Sequence, residues 1–161
     1  MGKYKLVEVR ENVFQTLLKH GADIMASEGM KEEKQFKQHR TTTVYNHSIG
    51  VAYVSIYLTR KFHLSVNERE LVRGALLHDY FLYDWHDPDP SHRLHGFSHA
   101  KTALRNAKRD FELTEIEEDI IEKHMFPLNI KRPQYKESAI VCVADKICAI
   151  CEMMSVRYMR G

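Results

Sequence analysis

The pair His78-Asp79 closes the apolar run Leu76-Leu77 and sets an imidazole beside a carboxylate. Adjacent helical positions point about 100° apart, so the two cannot bond face to face, yet both can reach one ion lying beside the helix. Leu71, Gly74 and Ala75, one and two turns earlier, put His78 on a side that reads as buried. An ionised carboxylate there is costly unless a partner or a metal neutralises it. His47, His99, His124 and Asp145 fall in the same way on apolar stripes of other segments. One such residue would read as a core histidine bonded to a carbonyl. Six residues drawn from separate helices of a small bundle point to a metal centre, with a purely structural polar network as the competing reading. Four imidazoles and two carboxylates without thiolate suit a divalent Fe, Mn, Co, Ni or Zn ion. They also exceed the needs of one tetrahedral ion, so the natural filling is two divalent metal ions about 3.5–4 Å apart that share Asp79.

The elements that must position these residues follow from periodicity. Val9, Val13, Leu17 and Ile24 predict an amphipathic helix over about residues 6–25. Residues 31–40 are polar apart from Phe36 and are expected to be exposed, mobile and free to act as a lid. Thr41, Thr42 and Thr43 offer N-cap hydroxyls to a helix whose stripe is Val44, His47, Val51, Val54 and Leu58. Asn67 with Glu70, and Thr114 with Glu117, have capping-box spacing and open the helices that carry His78 and His124. His99, Ala103, Ala107 and Phe111 share one face, and a last helix over about 137–158 carries Val141, Cys142, Asp145, Cys148, Ala149 and Glu152 on or near one side. Strand-like alternation is nearly absent, so the fold class is all-α, a compact helical bundle.

Composition narrows the function classes. A chain of 161 residues, 43% apolar and 29% charged, is expected to form one domain over residues 1–161, with the metal-binding core at about 41–151 and the first helix packed on it. The net charge of +2, with Lys and Arg interleaved among Asp and Glu, gives no reason to expect binding to a nucleic acid polymer. No run approaches the roughly 18 apolar residues of a membrane span, and the first residues carry no signal core, so no membrane partner and a cytoplasmic location are expected. Cys142, Cys148 and Cys151 are an odd, clustered set, unlike a secreted disulfide framework. Cys148 and Cys151 have redox spacing but lie inside an amphipathic helix with no second half, so they are read as packing thiols.

His47, then His78-Asp79, then Asp145 resembles in order and character the H…HD…D signature of the HD superfamily of metal-dependent phosphohydrolases. His99 and His124 resemble the additional ligands of its binuclear branch. The neighbouring Gly74-Ala75-Leu76-Leu77, His99-Ala100 with Ala103, and Ala144-Asp145-Lys146 are similar to the HD-type diadenosine tetraphosphate hydrolases. The resemblance implies an HD-type bundle in which one ion is held by His47, His78, Asp79 and Asp145 and a second by Asp79, His99 and His124. It implies hydrolysis of a nucleotide or other phosphate ester by attack of a metal-bridging hydroxide. The chain differs in carrying Leu82 where binuclear relatives carry Lys three residues after the doublet, and it lacks the glycine-tyrosine-proline element of cyclic-dinucleotide phosphodiesterases.

A small phosphorylated, nucleotide-like substrate needs cationic groups at the mouth. Arg93 and His95 on the Pro-broken loop before His99, and Lys146 beside Asp145, are the expected contacts, with Lys123 a lesser candidate. His95 stands one turn before His99 and is the alternative ligand to it. His20, His39 and His63 are expected to be solvated, His86 and His92 to be minor loop contributors, and Tyr83 and Trp85 to pack under the loop. A sensor that binds a ligand at the same site without turnover is the competing function, in a monomer or homodimer.

Overall fold

In a computed structural model the described residues are 2–86 and 95–155, with side chains described for 11–86 and 98–155. They form an all-α architecture: α1 (Gly2–Met25), α2 (Glu28–Glu32) running into a 3₁₀ turn (Glu33–Gln35), a hairpin of β1 (Lys37–His39) and β2 (Thr42–Thr43), then α3 (Val44–Lys61), α4 (Glu68–Leu77), α5 (His95–Asp110), α6 (Glu115–Lys123) and α7 (Lys136–Met153). α4 is the central helix and packs against α1, α3, α5, α6 and α7. Its Leu71, Val72, Ala75, Leu76 and Leu77 are all fully buried, so its C-terminus delivers His78 and Asp79 into the interior.

The helix starts follow the capping chemistry. The Thr43 hydroxyl accepts the Asn46 N–H at the head of α3, and the Asn67 side chain accepts the Glu70 N–H at the head of α4. At α6 both halves of a capping box form between Thr114 and Glu117. Each cap satisfies backbone donors that the first helical turn leaves open and fixes where the stripe of apolar residues begins. Glycine is required where α4 meets α6: a Cβ on Gly74 would stand 2.4 Å from Ile120 Cδ1. The buried Arg73 of α4 donates to Glu117 of α6 and to Asp23 of α1, tying three helices together.

Three expectations change. The segment 31–40 is exposed at six of its ten positions, but Glu33 is fully buried, Gln38 is 8% exposed, and β1 pairs antiparallel with β2 through Lys37–Thr43 and His39–Thr42. Glu33 and Gln38 face inward where α2 and the 3₁₀ turn lie against the bundle, and Arg40 donates to the Met153 carbonyl at the end of α7. The first helix begins at Gly2 rather than near residue 6. The last helix ends at Met153, and the expected continuation to 158 runs into residues outside those described.

Candidate metal centre

Asp79 lies at the focus of the bundle, 2% exposed, with its two oxygens turned to different partners. Oδ2 is 3.4 Å from His78 Nε2 and 3.9 Å from His47 Nε2. Oδ1 is 3.2 Å from His99 Nε2 and 3.4 Å from His124 Nε2. Asp145 of α7 joins the first group, its Oδ1 3.0 Å from His47 Nε2 and 3.7 Å from His78 Nε2. The second group closes with 2.9 Å between His99 Nε2 and His124 Nε2. All six residues singled out by their stripes thus meet, from α3, the end of α4, α5, the end of α6 and α7.

The outer ring nitrogens explain why the inner ones converge. His78 Nδ1 is 2.7 Å from the Ala75 carbonyl and His124 Nδ1 is 2.9 Å from the Ile121 carbonyl, each three residues back in its own helix. A carbonyl only accepts, so both Nδ1 atoms carry a proton and both Nε2 atoms face the centre, where a bound cation would take their lone pairs. His47 does the same with a side chain: its Nδ1 donates to Glu152 Oε2 at 2.9 Å. Gln38 donates its amide to Asp79 Oδ2 at 2.6 Å and fixes the carboxylate plane.

Lone pairs and carboxylates facing one another at these distances demand a positive charge between them. Burial alone would raise the Asp79 carboxyl, but the charge on His78 and the imidazoles of His124, His78 and His99 outweigh it and hold Asp79 well below the carboxylate range. Burial likewise opposes a charge on His47, and its bonds to Asp145 and Glu152 overcome that to raise it to about 9. His78 is raised well above its usual value against the same burial, chiefly by Asp79, while burial keeps His124 low. Even so, His78 Nε2 and Asp79 Oδ1 are buried and complete no hydrogen bond. A divalent cation satisfies such orphaned donors directly, and the groups His47-His78-Asp79 and Asp79-His99-His124 each gather their donor atoms within 4.8 Å, close enough to hold one.

The cationic residues behave differently. The Lys146 ammonium donates to the His124 carbonyl at 3.0 Å and the Cys142 carbonyl at 3.3 Å, so it braces the turn that ends in His124 instead of reaching out from the site. Lys123 is buried and paired with Asp119. Arg93 and His92 lie outside the described residues, and His95 opens α5 with its side chain outside them, so the structure brings His99 to the cluster without a comparison to His95.

His39 is half-buried rather than solvated, its ring centroid 5.6 Å from that of His47 and edge-on to it. His63 is exposed, as expected. Tyr83 packs its ring 4.9 Å from Phe81, and Trp85 lies partly buried against the core, stacked on His86. Cys142, Cys148 and Cys151 form no disulfide, and Cys148 is buried in the core.

Gln38, Glu33 and His39 are participants that periodicity did not single out, and Glu152 is one that it placed on the α7 face without a role. Glu152 had a signal, since it continues the stripe Asp145, Cys148 at helical spacing. The other three stand on the 3₁₀ turn and the short strand, where no helical period exists to reveal them.

Among the described residues no helix is long and apolar enough to cross a membrane. Residues 44–150 match the HD domain family. No curated protein and no solved structure matches the chain significantly.

Proposed function

The chain belongs to the HD domain family, and from that premise we propose that it is a binuclear, metal-dependent phosphohydrolase acting on a nucleotide or another small phosphate ester. The observation that supports this best is the two-sided Asp79, each of whose oxygens faces its own histidine pair. His47, His78, Asp79 and Asp145 would hold one divalent ion, and Asp79, His99 and His124 the other. When bound, such ions supply an acidified water as nucleophile and neutralise phosphoryl oxygens.

The chain's own groups do the remaining work. The Nδ1 bonds of His47, His78 and His124 lock each ring in the tautomer that presents Nε2 inward. Gln38 keeps Asp79 from rotating so that both its oxygens stay in use. Burial of Asp79, 2% exposed, limits water around the carboxylate and strengthens every electrostatic contact there. Arg93 and His95, on and just after the loop that precedes His99, are proposed to receive the substrate's remaining charge. Lys146 contributes through the carbonyl of His124.

The test is metal analysis of the purified protein followed by phosphate release from a nucleotide panel with Mn or Co added. We expect about two ions per chain and a turnover that falls by at least about a hundredfold in Asp79→Asn, a size typical of losing a key electrostatic group. Undiminished activity in that variant would remove the mechanism. The competing reading, a ligand-binding sensor, is favoured by Leu82 at the position where binuclear relatives carry lysine, and ions and nucleotide bound without turnover would establish it.

A further inference from the structure

His47 is distinguished from His78 and His124 by what its outer nitrogen touches. Those two rings donate to backbone carbonyls of their own helices, whereas His47 donates to a carboxylate 105 positions away, Glu152 at the end of α7. The pair is sealed: His47 is 0% and Glu152 is 7% exposed. The same helix carries Asp145 two turns earlier, 3.0 Å from the inner nitrogen of the same ring. One face of α7 therefore grips His47 at both nitrogens.

We propose that Glu152 is a positioning residue that fixes His47 as the Nδ1–H tautomer and strengthens its inner nitrogen as a donor, making the His47 side the tighter of the two ion positions. The inference rests on the metal reading above and goes beyond it by ranking the two positions. A carboxylate accepting the outer N–H of a ligating imidazole pushes electron density toward the opposite nitrogen, and it does so more strongly than a carbonyl can. Loss of such a partner characteristically costs 10–100-fold in metal affinity. Glu152 touches neither ion nor substrate in this scheme and acts through the ring.

The experiment uses the full chain, stripped with chelator and titrated with Mn or Zn against a chromophoric competitor, in wild type, Glu152→Gln and Glu152→Ala. Nitrogen NMR of the histidine rings is recorded on the Zn-loaded wild type, where the rings are neutral. The expected result is two unequal ions in wild type, a 10–100-fold weakening of the tighter one in Glu152→Gln, and an unchanged weaker one. Glu152→Ala should weaken the same ion at least as much. In the Zn-loaded protein His47 should show its proton on Nδ1, a readout that needs no variant to fold. Variants that lose thermal stability but keep the affinity ratio would reduce Glu152 to a packing residue and overturn the proposal. So would an Nε2–H tautomer of His47, or a third ion in wild type held by His39, His47 and Glu152, whose donor atoms also lie within 4.8 Å of one another. A wild type that binds no ion would sink the metal centre itself, a result distinct from two ions bound with both variants unchanged.

Discussion

Glu33 illustrates how a single side chain can run against the stability of the fold that contains it. Both of its carboxylate oxygens are buried and make no hydrogen bond, and burial followed by the nearby charge of Asp79 pushes its pKa well above 4.5. The folded protein therefore favours the protonated acid, while the unfolded chain releases that proton near 4.5. The stabilisation is complete below that pH and drains away as pH climbs toward the folded value. Glu33→Met, which keeps the length and removes the charge, is expected to gain about 1–3 kcal/mol at pH 7. Urea denaturation at pH 7 and pH 4 checks this, since the gain should shrink at the lower pH. A variant less stable than wild type at pH 7 would show that Glu33 has a partner when the site is filled.

Elements, rather than single residues, set the spacing between ligands, and Gly74 sets it between α4 and α6. Any side chain there meets Ile120 Cδ1 at 2.4 Å and its Cβ at 2.9 Å, so α4 and α6 must separate. His78 and His124 sit at the C-caps of those helices with ring centroids 4.9 Å apart. Gly74→Ala is expected to destabilise by about 1–3 kcal/mol through overpacking, and to weaken metal binding as well. Thermal melts and metal titration of the variant measure the two effects separately. Unchanged values in both would mean that Ile120 simply turns aside.

The same scale explains what was legible beforehand. His47, His78, His99, His124 and Asp145 were readable because a helix repeats every 3.6 residues, and a polar side chain on its apolar stripe stands out. The capped starts of α3, α4 and α6 were readable for a similar reason: Thr43, Asn67 and Thr114 each do a local job that three or four residues reveal. Gln38 and Glu33 were not, because a three-residue strand and a 3₁₀ turn have no repeat long enough to show which side is inward. Lys146 was placed correctly beside Asp145 in sequence, but its long side chain turned back to the His124 carbonyl, a choice fixed only by how α6 and α7 pack.

For the whole molecule, the cluster behaves as a store of charge that must be balanced. Without ions, His47 at about 9, raised from 6.5, adds stability that is complete below 6.5 and is lost as pH rises through 9. Asp79 and Asp145, both held below 3.8, add stability present above that value and lost as pH falls. The ion-free protein should therefore be most stable in mild acid, between about 4 and 6.5. Ions need the imidazoles neutral, so uptake near pH 7 should release protons, tighten with rising pH and move the optimum upward. At a hundredfold excess over the dissociation constant one ion adds about 2.7 kcal/mol. Melting curves from pH 4 to 9 with and without Mn, and calorimetry in buffers of different ionisation heat, measure these effects. A melting temperature indifferent to both chelator and pH would contradict them.

His78 and His124 each bond a carbonyl three residues back along their own chain, which gives the two termini a portability that the rest of the pocket lacks. Such an imidazole arrives already aimed, its orientation encoded within a single turn. Two helices ending this way and brought side by side should reproduce half of a binding pocket in an unrelated scaffold. His47, tied instead to a residue 105 positions distant, could not be moved without taking the end of α7 along.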